Sequence, residues 1–226
     1  MNLYLVLNII TVLEIVCTEF IVIWILSLRK YNFIKSLALY LLFTIPVLLF
    51  MCFIAVKTPN YGDGSGRFMV MGAVYFIPAL ISYGGDWKSR LIIAFYAFSY
   101  GLAGFALSVR VGYLFRQEVL DVVVLITQTL LYLLTLPFFL NFSKRWVIRY
   151  IQKANSSQKN LLIRHTIVSF ILIISYNKNM VEEGSAIRKL LIYLLLIYFI
   201  IITYKLVVSY LKADDNVQEL NELPNL

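Results

Sequence analysis

The run Leu120–Phe142, LDVVVLITQTLLYLLTLPFFLNF, carries a single charge, Asp121. A helix that crosses a bilayer needs about 20 mostly apolar residues, because the hydrocarbon core is about 30 Å thick and each residue rises about 1.5 Å. This run satisfies that requirement, and the chain repeats the pattern on both sides of it. Leu3–Leu28, Ser36–Val56, Leu91–Val109 and Leu190–Leu211 are comparable. Phe68–Tyr83 is short, and Leu161–Tyr176 is the weakest, with Arg164 and His165 near its start. Long polar side chains at such positions can reach the interface.

Composition agrees with this reading. Of 226 residues, 61% are hydrophobic and 14% charged, against about a quarter charged in an average soluble domain. That balance excludes an ordinary water-soluble enzyme, a disordered chain and a collagen-like fibre. Two cysteines make no disulfide framework, and one histidine leaves little for a metal site. The expectation is an all-α polytopic bundle over residues 1–211, with about seven transmembrane helices, and a short acidic cytoplasmic tail over 212–226. The first segment begins at Met1 without a basic leader or a small-residue cleavage pattern, so it reads as a retained helix.

Lysine and arginine set the orientation. With the N-terminus outside, thirteen fall on the inner side: Arg29, Lys30, Lys35, Lys88, Arg90, Lys144, Arg145, Arg149, Lys153, Lys159, Arg164, Lys205 and Lys212. Seven remain outside: Lys57, Arg67, Arg110, Arg116, Lys178, Arg188 and Lys189. N-out and C-in follows, in a multi-pass protein of the cell membrane. The stretch from Ser143 to Lys159 is basic, with Trp146, Val147, Tyr150 and Ile151 on one face. It reads as an interfacial helix on an anionic inner leaflet, which accounts for the net charge of +8 without nucleic acid.

Three features inside the spans invite a functional reading. Ala94, Ala97, Gly101, Gly104 and Ser108 recur at three, four, three, four and form one stripe of small side chains. Such a stripe allows close helix approach, either within the chain or as a homodimer or partner-protein seam. Glu14 and Glu19 lie in the first span, and intramembrane carboxylates are costly unless paired, protonated or facing water. Measured from the outer end, Glu19 lies about 24 Å down its helix and Lys205 about 22 Å down the last. Equal depth predicts an ion pair joining the first and last spans. Glu14 has no evident partner and is read as protonated or facing a ligand cavity. Ligand binding or coupling is thus assigned to Glu14, Glu19 and Lys205.

Enzyme signatures are missing. Cys17 and Cys52 are far from His165, Glu182-Glu183 with Arg188 has no later histidine, and Gly62-Asp63-Gly64-Ser65-Gly66 lacks the Lys-Ser/Thr of a phosphate-binding loop. Lys205 lies too near the inner end for a retinal site, and Asp86-Trp87 falls in a loop. No catalytic residue, metal or cofactor is expected. Leu206, Tyr210, Ala213, Val217 and Leu220 recur at four, three, four, three, a heptad-like seam leaving the membrane, until Pro224.

The layout resembles the N-terminal transmembrane sensor module of GHKL-type histidine kinases, the Agr/Com-like peptide-pheromone receptors of Gram-positive bacteria. The residues that carry the resemblance are Tyr83-Gly84-Gly85-Asp86-Trp87-Lys88-Ser89-Arg90-Leu91, Leu136-Pro137-Phe138-Phe139 before the basic loop, and Val217-Gln218-Glu219-Leu220-Asn221-Glu222-Leu223. It implies a receptor that binds an extracellular peptide or small ligand, sits in the lipid bilayer and signals through its last helix. The phosphoacceptor histidine and ATP-binding domain of that family are not in this sequence, and His165 does not stand in for the former. Two alternatives remain open: a small permease component, or an accessory protein that binds another membrane protein.

Overall fold

A computed structural model describes residues 3–57, 77–115, 119–181, 194–195, 197–198 and 201–212. Among these, every regular element is helical, and the one β-type contact is an isolated bridge between Arg29 and Tyr83. The helices are α1 (Leu3–Leu26), α2 (Phe33–Lys57), α3 (Trp87–Gly112), α4 (Leu120–Phe142), α5 (Arg149–Lys153) and α6 (Ser156–Val181). Residues 77–82 and 201–212 are also helical.

Three helices begin at one end of the bundle, each capped by a side chain that satisfies otherwise orphaned backbone donors. Asn32 accepts from the Lys35 amide at 3.0 Å, ahead of α2. Asp86 accepts from the amides of Lys88 and Ser89 at 3.1 and 3.0 Å, ahead of α3. Asn155 and Gln158 cap α6 reciprocally, at 3.0 and 2.8 Å. At the same end α1 finishes, where the Leu28 carbonyl accepts from the Gly84 amide at 2.8 Å. Gly85, with φ of 92°, supplies the left-handed residue that turns the chain from there into α3.

Helix direction therefore alternates. α1, α4 and residues 201–212 run toward this capped end, whereas α2, α3 and α6 start from it. The capped end also gathers Arg29, Lys30, Lys35, Lys88, Arg90, Lys153 and Lys159.

Among the described residues, three helices are long and apolar enough to cross a membrane: Ile9–Leu26, Trp87–Gly112 and Leu120–Lys153. The last differs from the sequence expectation. The basic stretch after Phe142 is not a separate helix lying on the leaflet; it continues α4 through a π-helical segment, Ser143–Ile148, into α5. The physical reason is burial. Val147, Tyr150 and Ile151 pack with Leu162, Ile163, Val207 and Leu211 in the protein core, so that face meets protein, not headgroups. The 34 residues Leu120–Lys153 extend about 50 Å, well beyond the hydrocarbon. Pro46 and Pro137 lie inside helices that continue past them.

α3 is central, packed against α6, α4 and α1. Its small-residue stripe serves that packing: Ala94, Ala97, Gly101 and Ser108 are buried within the chain. A methyl at Gly101 would lie 3.1 Å from Ile15 of α1, and one at Gly104 would overlap the Tyr132 ring of α4. Of the two uses open to the stripe, intramolecular packing is the one the fold adopts. The region 58–76, with the glycine-rich loop and most of Phe68–Tyr83, lies outside the described residues. So do 182–193, 213–226 and hence the acidic tail and the outer half of the heptad-like seam.

Candidate functional site

Inside the apolar bundle, α1 and α4 share a polar seam. Gln128, fully buried, donates from Nε2 to the Thr11 carbonyl at 3.0 Å and to Glu14 Oε2 at 3.1 Å. Thr129 Oγ1 lies 2.5 Å from the other Glu14 oxygen, Oε1, and 2.9 Å from the Leu125 carbonyl of its own helix. Glu14, which has no evident partner on sequence grounds, is thus bound by two adjacent side chains of α4. A signal for this lies in Leu120–Phe142 itself: Thr127-Gln128-Thr129 is a polar triplet in an otherwise apolar run, and intramembrane polar groups bridge helices.

Further along α1, Glu19 is 1% exposed and its Oε1 has no hydrogen-bond partner. It lies against α3, where a methyl at Gly101 would approach that oxygen to 3.0 Å. The Gly101 carbonyl accepts from Tyr132 Oη at 2.6 Å, so α1, α3 and α4 converge on this glycine. Tyr132 and Gln128 are one turn apart on α4, which links the two acidic positions into a continuous seam.

The predicted pair of Glu19 with Lys205 is not formed. Lys205 lies on the exposed side of residues 201–212, while Glu19 is enclosed by α1, α3 and α4. Equal depth placed the two at one level but said nothing of the direction each helix face takes. Cys17 is a free, exposed thiol on α1. His165 Nδ1 sits 3.0 Å from the Leu161 carbonyl of its own helix. Among the described residues, no three His, Cys, Asp or Glu side chains group as metal ligands would.

A second arrangement closes the capped end. Lys159 of α6 donates to Asp86 Oδ2 at 2.7 Å and to Ser89 Oγ at 3.0 Å, and Ser89 Oγ donates to Asp86 at 2.6 Å. Partial burial pushes the Asp86 carboxyl up, but the Lys159 and Ser89 hydrogen bonds and the Lys159 charge outweigh it and hold it below the usual carboxylate range. Lys88 reaches Ser156 at the start of α6, and Arg90 donates to the Leu80 carbonyl. The helix 201–212 is seated here too. Val207 and Leu211 are buried, Tyr210 Oη donates to the Lys153 carbonyl at 3.1 Å, and the Tyr150 and Tyr210 rings meet edge-on at 5.1 Å. Tyr150 Oη in turn donates to the Gln158 carbonyl at 3.2 Å, so α5, α6 and the last helix are tied together.

No family model, curated protein or solved structure matches this chain.

Proposed function

We propose that the chain is the sensing bundle of a multi-pass cell-membrane receptor, crossing seven times with its N-terminus outside and its C-terminus inside. In this reading it binds an extracellular ligand, a peptide or small molecule, and passes a helix displacement inward through residues 201–212, with a binding rather than a catalytic role. The observation that carries the reading is the seat of that last helix. It rests on α5, the inner extension of α4, and α4 is tied through Gln128 and Thr129 to α1. A ligand that shifts α1 against α4 at the outer end therefore has a mechanical path to the chain leaving the bundle. The alternation of helix direction supports the odd number of crossings, and the basic residues at the capped end support that end as the inner one.

Fusing the kinase half of a histidine kinase with a transcriptional readout after Leu226 tests this. Peptide fractions added outside should change output in the fusion. They should change it less in Leu211→Ala, whose loosened seat uncouples the last helix. Output that ignores every fraction, in a fusion whose Leu211→Ala variant has the same basal activity, counts against signalling. Glu14 and the buried Glu19 favour a second reading, a small permease component, since carboxylates within spans mark ion and substrate pathways. Uptake of a labelled solute into proteoliposomes would support it.

A further inference from the structure

Several cations at the capped end are spent within the protein. Lys159 is paired with Asp86, Lys88 reaches Ser156, and Arg90 donates to the Leu80 carbonyl. Arg29 and Lys30, consecutive and exposed, are not: neither has a carboxylate partner or a side-chain hydrogen bond among the described residues. No acidic residue lies between Glu19 and Asp63 in the sequence. Asp86, the one described carboxylate at that end, is taken by Lys159 and Ser89.

Each of the two cations lies instead over an aromatic ring. The Arg29 guanidinium is 4.8 Å from the centre of the Trp24 ring, and Lys30 Nζ is 5.3 Å from that of Tyr31. Trp24 meets Phe33 edge-on at 5.3 Å, and Phe33 meets Phe20 at 5.7 Å. The end of α1 and the start of α2 thus form one aromatic corner carrying both charges. A guanidinium resting on a ring face is held by the ring quadrupole and keeps its in-plane N–H donors for another partner. The backbone of the corner is fixed as well. The Leu28 carbonyl accepts from the Gly84 amide, Arg29 bridges to Tyr83, and Tyr83 is buried.

Depth and neighbours indicate the partner. Arg29 and Lys30 lie just past the apolar stretch Ile9–Leu26, and the next apolar helix starts at Phe33, which puts the corner at headgroup level. Beside the cations, Leu28 is 63% and Ile34 75% exposed. Unspent charge with outward donors suits a phosphate, and the bare apolar flank suits hydrocarbon chains. We propose that this corner seats one anionic phospholipid of the leaflet at the capped end, its phosphate on Arg29 and Lys30 and its chains over Leu28, Phe33 and Ile34. The seat requires only that α1 crosses a membrane, and it is independent of whether the last helix carries a signal.

Native mass spectrometry of the full chain, released from micelles holding equal phosphatidylglycerol and phosphatidylcholine, tests it. Wild type should retain phosphatidylglycerol in preference. Arg29→Gln/Lys30→Gln should weaken that retention about 30-fold, since each basic residue near an anionic surface contributes about fivefold. The single variants should each lose about fivefold, so a double variant that fails to fold leaves the assignment testable. Lys205→Gln/Lys212→Gln removes the same charge from exposed positions of the last helix and should bind as wild type does. Equal losses in the two double variants would show a response to net charge and overturn the proposal. So would displacement of the lipid by an equal concentration of glycerol phosphate, which would assign the corner to a free phosphate. A wild type without preference between the two lipids overturns it outright.

Discussion

Gly104→Ala probes the tightest contact among the described glycines. The added methyl would overlap Cε1 of Tyr132 and lie 3.0 Å from Cζ and 3.2 Å from Cδ1. Tyr132 cannot swing aside freely. It is buried, its hydroxyl is held by the Gly101 carbonyl at 2.6 Å, and its ring packs near Tyr100. Overpacking of this kind costs about 1–3 kcal/mol. Moving the ring also sacrifices the hydroxyl bond, about 1 kcal/mol. Against this, alanine gains about 1 kcal/mol over glycine in a helix interior. The net expectation is destabilisation by about 1–3 kcal/mol, a roughly 5- to 150-fold fall in the folded-to-unfolded ratio. Reversible unfolding in mixed micelles, followed by tryptophan fluorescence, reads this directly. The double variant Gly104→Ala/Tyr132→Leu should lose far less than the sum of the singles, with a coupling of at least about 1 kcal/mol. A Gly104→Ala protein as stable as wild type, or strictly additive singles, would refute the packing account.

Gln128→Leu removes both amide bonds from α4 to α1 and leaves Glu14 Oε2 without that donor. It should cost about 1–3 kcal/mol in the same unfolding assay, and a neutral result would mean the bridge is not made. Asp86→Asn retains the capping acceptor but loses the Lys159 ion pair, which is half-exposed, so the loss at neutral pH should be about 0–1 kcal/mol. Because the Asp86 carboxyl is held below its ordinary value, its contribution is complete above about pH 4 and fades as the pH falls through the folded value. The stability gap between wild type and Asp86→Asn should therefore shrink in acid, and a gap that widens contradicts the assigned cause. Tyr210→Phe keeps the ring contact with Tyr150 but deletes the bond to the Lys153 carbonyl. Stability should fall by about 1 kcal/mol or less, while hydrogen exchange in residues 201–212 should rise; unchanged exchange would show that the bond does not hold the helix.

Helix formation and apolar character were legible because they depend on local sums. Leu120–Phe142 and Leu91–Val109 needed only length and composition; the first coincides with the observed helix, and the second is extended by about one turn at each end, to Trp87–Gly112. The stripe on α3 was legible as a close-packing surface because a spacing of three and four survives any partner. Which partner it meets was not, since Ile15, Glu19 and Tyr132 come from distant positions. The same limit explains Glu19 and Lys205. Depth follows from residue number, but facing depends on the rotation of each helix about its axis, which packing sets. The Ser143–Lys159 run reads as interfacial for a related reason: amphipathic periodicity reveals an apolar face, not whether lipid or Leu162 and Leu211 cover it.

The central claim is that the last helix runs from the outer side to a basic inner end and delivers the chain to the cytoplasm. A topology reporter fused after Leu226, active on only one side of the membrane, tests it most directly. The account predicts cytoplasmic activity, in keeping with seven crossings from an outside N-terminus. A C-terminus found outside would contradict it, and would remove the inward path on which the receptor reading depends.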